Sequence, residues 1–73
     1  MEDRKEKIYA IVVTYNRRVL LEGCLESLLT QTISLDKIFV VDNDSKDGTS
    51  EMMEKNFHKS QIDYINIKAG ILA

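Results

Sequence analysis

Polar side chains that suit a nucleotide follow the first two apolar segments of this sequence. They are Thr14, Tyr15, Asn16 and Arg17 after the first segment, and Asp42 and Asp44 after the second. A carboxylate such as Asp42 accepts hydrogen bonds from a base N–H or a ribose hydroxyl, and Tyr15 offers an aromatic face beside a base. The guanidinium of Arg17 or Arg18 forms charge-assisted bonds to a diphosphate. Both clusters therefore indicate a nucleotide-binding site.

Several of these residues and their neighbours also allow a purely structural interpretation, as packing, helix-start, turn or cap residues. They are Tyr15, Arg17, Arg18, Asp44, Ser45 and Asp47. Asp42 and Asp44 also match the Asp-x-Asp spacing of a metal site. Hard cations usually need further oxygen ligands, and a position after the second strand suits base binding better. We therefore assign no metal ligand and no catalytic residue to this sequence.

The glycines of the two common phosphate-binding loops are missing after the first apolar segment. The G-x-G-x-x-G fingerprint of dinucleotide-binding domains and the G-x-x-x-x-G-K-[ST] loop are both absent. The backbone of the first turn is thus not expected to cradle phosphate. This argues against a dinucleotide oxidoreductase half-domain, which is the weakest of the functions considered.

Hydrophobic periodicity alternates along the chain between that of strands and that of helices. Apolar runs predict strands over residues 8–14, 37–41 and 62–67, and helical spacing predicts helices over residues 17–30 and 49–56. The order β-α-β-α-β predicts an α/β fold with a parallel sheet, right-handed crossovers and strand order 3-2-1. In such sheets ligands lie outside the carboxyl ends of the strands, where both polar clusters fall.

Individual residues within these elements carry further expectations. The first strand is almost continuously apolar, which predicts burial on both faces. Asn16 is predicted to cap the first helix and Asp47 the second. In the second helix, Met53 and Phe57 are predicted to point inward. Cys24 belongs to the apolar stripe of the first helix and is predicted to be a buried small hydrophobe.

Length and composition fit one small globular domain. The chain has 73 residues and a net charge of −2, which argues against nucleic-acid binding. Residues 1–7 are charged, lack the apolar core of a secretory signal and are predicted to form a solvated tail. No apolar run approaches the roughly 20 residues needed to span a bilayer, so we expect a cytoplasmic protein. His58, the one histidine, is predicted to be a solvated loop residue.

The stretch from Ala10 to Met53 resembles the family 2 glycosyltransferases, which have the GT-A fold. Three motifs carry the resemblance in the family's order and spacing: IVVTYNR at 11–17, LLEGCLESLLTQT at 20–32 and IFVVDNDSKDGT at 38–49. Their detailed form is similar to the branch that transfers rhamnose or galactofuranose. The whole chain, residues 1–73, is thus interpreted as part of the N-terminal nucleotide-sugar-binding domain.

The resemblance implies roles for several residues and a reaction for the whole enzyme. Thr14, Tyr15 and Arg17 would line the nucleotide pocket, and Asp42 would hold a uracil or thymine base. Relatives transfer a sugar from a UDP or dTDP donor to an acceptor hydroxyl, usually with Mg²⁺ or Mn²⁺. Their metal-binding Asp-x-Asp and catalytic base would fall beyond Ala73. The chain is therefore expected to be an N-terminal fragment, inactive alone, with no cofactor of its own.

A function of a different class stays open from the sequence. The chain also fits a non-catalytic module that binds a nucleotide or a protein partner. Strands one and three would then leave unpaired edges or uncovered faces that favour self-association.

Overall fold

The computed structural model describes residues 7–31 and 35–68 of the chain. Its elements are β1 (Tyr9–Thr14), α1 (Arg18–Thr30), β2 (Lys37–Asp42), α2 (Thr49–Asn56) and β3 (Ile62–Asn66). The predicted order of strands and helices is confirmed, and the bounds differ from expectation by a residue or less at each end. The tail predicted over residues 1–7 lies outside the described residues except for Lys7, which is exposed.

The three strands form one parallel sheet with β2 in the centre. The strand order is β1-β2-β3, and β2 pairs in parallel with both neighbours. The predicted α/β class and the order 3-2-1 are confirmed. All three strands therefore point their carboxyl ends at one edge, which we call the carboxyl edge.

One face of the sheet is covered by both helices. The shared core is made of side chains from β2, β3, both helices and the residue after α2: Leu21, Leu25, Ile38, Val40, Met52, Met53, Phe57 and Ile62. Leu25, Ile38 and Val40 have no exposed surface. Burial of such a side chain is worth about 1.5–3 kcal/mol, which makes this cluster the main source of stability. Met53 and Phe57 are buried as predicted.

The opposite face of the sheet, which we call the open face, exposes large apolar side chains. Tyr9, Ile11 and Val13 of β1 are 54%, 69% and 63% exposed, and Ile65 of β3 is 45% exposed. The prediction that the first strand is buried on both faces is wrong for the described structure. Its continuous apolar run meets helices on one side only, because α1 and α2 pack against the same core residues.

The prediction that Cys24 is buried is also wrong. Cys24 is exposed, and its neighbour Leu25 occupies the centre of the core. The helix places Leu21 and Leu25 against the sheet, so a residue three positions after Leu21 falls on the flank of the apolar stripe. His58 is exposed, as predicted. Among the described residues, no helix has the length and apolar character needed to cross a membrane.

Candidate functional site

The carboxyl edge carries a polar row that runs across all three strands. Thr14 of β1 is in register with Asp42 of β2, and Asp42 is in register with Asn66 of β3. The side chains of this row share the covered face with the core, because alternate residues of a strand point to the same side. Thr14 and Asp42 are buried, and Asp42 has no exposed surface at all.

Asp42 is the centre of a hydrogen-bond network. Its Oδ1 accepts from the backbone N–H of Ser45 at 3.0 Å and from the Ser45 hydroxyl at 2.5 Å. Its Oδ2 accepts from the hydroxyl of Tyr64 at 2.5 Å. Both carboxyl oxygens are thus engaged by protein donors, which offsets the cost of burying this group.

Tyr64 of β3 connects Asp42 to the end of its own strand. Asn66 Nδ2 donates to the Tyr64 hydroxyl oxygen at 3.2 Å. Burial, together with the hydrogen bond to Asp42 and the negative charge of that group, raises the pKa of Tyr64 to about 12. The phenol therefore keeps its proton at physiological pH.

Two asparagine oxygens at this edge are buried without a partner among the described residues. They are the Oδ1 atoms of Asn43 and Asn66. Buried polar atoms are usually hydrogen-bonded, so each of these acceptors is an exception that calls for a donor. Sequence reasoning missed both residues and Tyr64. The sequence carried one signal for two of these residues: in the alternating pattern of β3, Tyr64 and Asn66 are two positions apart and so lie on the same face.

The loops that follow β1 and β2 are held together by hydrogen bonds, an arrangement we call the loop clasp. The backbone N–H of Asn16 donates to Ser45 Oγ at 2.7 Å, and the backbone N–H of Lys46 donates to Asn16 Oδ1 at 2.7 Å. Asn16 adopts a left-handed conformation with φ of 51°. Its prediction as a helix cap is wrong: Arg17 is at the N-cap position of α1, and Asn16 serves the neighbouring loop instead.

Asp47 completes the clasp and caps the first helix rather than the second. Its Oδ2 accepts from the backbone N–H of Arg18 at 2.9 Å, at the start of α1. Its Oδ1 accepts from the Thr49 hydroxyl, and this bond holds the pKa of Asp47 below its usual value. Gly48 is at the N-cap position of α2, with φ of 87° and no side-chain cap bond. The prediction that Asp47 caps α2 is therefore wrong.

The other predicted site residues lie around this network. Tyr15 and Arg17 are exposed, so an aromatic ring and a guanidinium are accessible to a ligand. Thr14 accepts a backbone hydrogen bond from Asn43 through its carbonyl oxygen at 2.9 Å. Asp44 is half-buried, has φ of 62° and lies 3.3 Å from Lys46 Nζ.

The structure brings the six predicted residues to one edge without enclosing them in one cavity. A cavity of about 850 Å³ is lined by Asp44 together with Asn66. A smaller cavity of about 260 Å³ is lined by Asn16 and Arg17. The remaining predicted residues, Thr14, Tyr15 and Asp42, line neither of these two cavities.

The described residues do not fit a divalent metal. Within the described ranges, no three Asp, Glu, His or Cys side chains come together as a metal site would require. The Asp-x-Asp pair is also occupied, because both Asp42 oxygens accept protein hydrogen bonds and Asp44 pairs with Lys46.

Comparison with known proteins supplies an independent line of evidence. The model of the family "Glycosyl transferase family 2" matches residues 9–69. Protein CgeD of Bacillus subtilis (strain 168) is 33% identical over 61 residues, which cover 84% of this chain and 14% of that protein. The chain thus spans about one seventh of the curated relative it matches. No solved structure matched.

Proposed function

The chain belongs to glycosyl transferase family 2, and we propose that it forms the donor-binding part of an enzyme that takes its sugar from UDP or dTDP. The observation that carries this proposal is the convergence of the polar row and the loop clasp at the carboxyl edge. Ligands of open α/β sheets bind outside this edge, where backbone and side-chain polar groups face the ligand.

The six predicted residues offer different chemical groups to the proposed ligand. Tyr15 is exposed and offers its ring to the base, while the exposed Arg17 offers its guanidinium to the diphosphate. Asp42, which has no exposed surface, is proposed to act on base recognition through the residues that it holds, Ser45 and Tyr64. Asn16 and Asp44 are proposed to contact the nucleotide from the two cavities that they line, and the buried Thr14 to support them.

The proposed reaction transfers the sugar to an acceptor hydroxyl. The acceptor oxygen forms a bond to the anomeric carbon, and the bond from that carbon to the diphosphate oxygen breaks. The nucleoside diphosphate leaves with the electron pair, and the acceptor proton passes to a general base. We place any Mg²⁺ or Mn²⁺ outside the described residues, since no three Asp, Glu, His or Cys side chains come together within them. The general base is placed there as well, because the family resemblance implies it. The chain alone is thus proposed to bind donor without transferring sugar.

Two narrower proposals rest on the sequence motifs and composition. The form of the motifs supports a sugar of the rhamnose or galactofuranose type. The lack of any apolar run of the roughly 20 residues needed to span a bilayer supports a cytoplasmic location. A transfer assay with the corresponding donors, run on a complete family member whose matching segment is replaced by this chain, would separate these sugars from glucose and galactose.

Titration of the 73-residue chain with UDP, dTDP and NAD, followed by amide NMR, tests the binding proposal. We expect UDP and dTDP to shift the amides of Thr14, Tyr15 and Asn16, and NAD to leave them unchanged. Equal responses to all three ligands, or none, would contradict the proposal.

Arg17→Ala tests the diphosphate contact within that experiment. Loss of a charged hydrogen bond costs about 1.5–3 kcal/mol, so we expect UDP affinity to fall roughly tenfold or more. Uridine, which lacks the diphosphate, should bind equally well to both proteins. Lys59→Ala is the matched control, because Lys59 is an exposed cation that precedes β3 at the opposite end of the sheet. If both variants weaken UDP equally, the effect is one of overall charge and Arg17 has no specific role.

A second candidate function is association through the open face, with a second copy of this chain as the partner. The observation that favours it is the row of exposed apolar side chains at Tyr9, Ile11, Val13 and Ile65. Monomeric proteins rarely expose a contiguous apolar patch of more than a few hundred Å². A two-fold dimer pairs a patch with itself, so an apolar face is complementary to its own copy.

Light scattering over a range of concentrations tests this second candidate. We expect a dimer that Val13→Glu disrupts, because a charge would be buried at the interface. Val19→Glu is the matched control, since Val19 is 73% exposed against 63% for Val13 but lies on α1. A monomer at every concentration would rule out association of this kind.

A further inference from the structure

The two residues on either side of Arg17 are both anchored by the loop that follows β2. The backbone N–H of Asn16 donates to Ser45 Oγ at 2.7 Å. The backbone N–H of Arg18 donates to Asp47 Oδ2 at 2.9 Å. Arg17 is itself exposed, so its guanidinium stays accessible to a ligand while its backbone is held from both sides.

The hydroxyl of Ser45 joins one of these anchors to the buried carboxylate of Asp42. A serine hydroxyl has one proton, and an ionised carboxylate only accepts. The proton of Ser45 goes to Asp42 Oδ1 at 2.5 Å, which leaves the hydroxyl oxygen to accept the N–H of Asn16. The backbone N–H of Ser45 also donates to Asp42 Oδ1, at 3.0 Å. Ser45 is thus held at its backbone and at its hydroxyl by a group that has no exposed surface.

Asn16 has a backbone conformation that depends on these contacts. Its φ of 51° lies in the left-handed region, which is disfavoured for residues other than glycine, although asparagine tolerates it better than most. Its Oδ1 accepts from the backbone N–H of Lys46 at 2.7 Å, so the loop after β2 holds both the N–H and the side chain of Asn16. Because the backbone angles of Asn16 set the direction in which the chain enters Arg17, the loop clasp also orients Arg17.

We propose that Ser45 is a positioning residue of the donor site, which acts through Asn16 to hold Arg17 in the orientation that meets the diphosphate. Ser45 has no proton to donate to a phosphate oxygen, because its single hydroxyl proton is engaged by Asp42. The inference rests on the proposed contact between Arg17 and the diphosphate. A binding group that is already ordered in the free protein saves the entropy of ordering it, so a loosened clasp lowers affinity without removing any ligand contact.

The ratio of UDP affinity to uridine affinity tests this role, because only UDP carries the diphosphate. Ser45→Ala removes the acceptor for the N–H of Asn16, so we expect the ratio measured on the 73-residue chain to fall about three- to tenfold. Ser45→Thr retains a hydroxyl and should restore the ratio. Ser60→Ala is the matched control, because Ser60 is an exposed serine that precedes β3 at the opposite end of the sheet, and it should keep the wild-type ratio.

A double variant separates an effect through Arg17 from a direct one. The ratio of UDP to uridine affinity should already be low in Arg17→Ala, and the addition of Ser45→Ala should not lower it further, because residues that act through one contact are not additive. In the free chain, Ser45→Ala should also speed the amide exchange of Asn16, whose N–H has lost its acceptor. An equal fall of the ratio in both backgrounds would mean that Ser45 acts independently of Arg17, and would overturn the inference.

The outcomes distinguish this inference from the proposed function beneath it. If UDP does not bind, or if Arg17→Ala keeps the wild-type ratio, the proposed diphosphate contact fails and this inference fails with it. If Arg17→Ala lowers the ratio and Ser45→Ala does not, the contact stands and the inference is overturned. A parallel loss of UDP and uridine affinity in Ser45→Ala overturns it as well, since a purely structural role has that result.

A second variant decides the question should Ser45→Ala fail to fold. Asp47→Ala removes the other anchor beside Arg17, the acceptor for the N–H of Arg18, and leaves Ser45 in place. The ratio of UDP to uridine affinity should fall in the same way, because the backbone at Arg17 is again held from one side only. A wild-type ratio in Asp47→Ala would then overturn the inference.

Discussion

The covered and open faces of the sheet are built from the same strands but differ in what lies against them. On the covered face, Ile38 has no exposed surface, whereas Ile11 on the open face is 69% exposed. The strands are parallel, so the loops that follow β1 and β2 leave the sheet at the same edge, and they meet in the loop clasp. The covered face therefore provides both the stability and the polar row, and the open face provides apolar surface.

The difference also separates two kinds of function. A buried polar network needs low exposure and fixed donors, and Asp42 has both on the covered face. An association surface needs accessible apolar area, which Ile11 and Val13 supply on the open face. The proposed nucleotide site and the proposed association surface thus lie on different sides of one sheet, and substitutions on one side should leave the other function intact.

The largest expected effect comes from truncating the same residue type on each face. Ile38→Ala should lower the free energy of unfolding by about 2–5 kcal/mol, because it opens a cavity in the core. Ile11→Ala should change it by less than about 0.5 kcal/mol, since its side chain is already in solvent. Denaturation in urea at low protein concentration measures both. Equal losses in the free energy of unfolding would mean that the open face is covered in solution and that the two faces do not differ in burial.

The loop clasp is tested by removing its helix cap. Asp47→Ala should destabilise the chain by about 1 kcal/mol, because the N–H of Arg18 loses its acceptor. Faster amide exchange should appear in the first turn of α1. Asp63→Ala is the control on the open face, where the exposed ion pair with Lys37 is worth little. Faster exchange confined to α2 would assign Asp47 to the other helix.

The stability that Asp47 contributes depends on pH, and the direction of its pKa shift gives the sign. The pKa of Asp47 is lowered from 3.8 by its hydrogen bonds in the folded chain. The unfolded chain therefore binds the proton more tightly, and stability from Asp47 is present above pH 3.8 and lost as the pH falls further. Asp47→Ala should flatten this part of the stability profile. An unchanged profile in the variant would mean that other carboxylates cause the acid loss.

Tyr64 gives a smaller effect at the opposite end of the pH scale. Its pKa is raised from 10.0 to about 12 in the folded chain, so the folded state holds the proton more tightly. Its contribution to stability is complete below pH 10.0 and is lost as the pH rises toward 12. In a pH titration of tyrosinate absorbance, Tyr64→Phe should remove the component near pH 12. Tyr9→Phe, on the open face, should retain it, and the reverse pattern would contradict the network around Asp42.

The local pattern of apolar and polar residues was sufficient to predict the fold, but it was insufficient to predict which residues contact one another at the candidate site. Strand and helix periods are properties of neighbouring residues, which is why α2 was predicted at its observed bounds, Thr49–Asn56. The link from Tyr64 to Asp42 joins residues that are 22 positions apart, and only the register of β2 against β3 brings them together. The capping of α1 by Asp47 is likewise a contact between two loops, which no spacing within one segment indicates.

Burial was the other property that periodicity predicted only in part. An apolar run shows that a strand can be buried, but the placement of the helices decides which face is covered. Periodicity is limited in the same way for the apolar stripe of α1. The centre and the flank of the stripe both carry apolar residue types, so the sequence does not show which of them is buried. Leu25 is at the centre of the stripe and has no exposed surface, whereas Cys24 is on the flank and is exposed.

Cys24 provides the smallest expected effect and the sharpest test of this flank position. Cys24→Ser should change the free energy of unfolding by less than about 0.5 kcal/mol, since an exposed thiol loses no packing and the two residues have similar helix propensity. A thiol reagent should modify Cys24 in the native chain about as fast as in urea, because no unfolding is needed to reach it. Strong protection in the native chain would mean that a partner, or a second copy, covers this side of α1. The covered side would then extend beyond the core that Leu21 and Leu25 define.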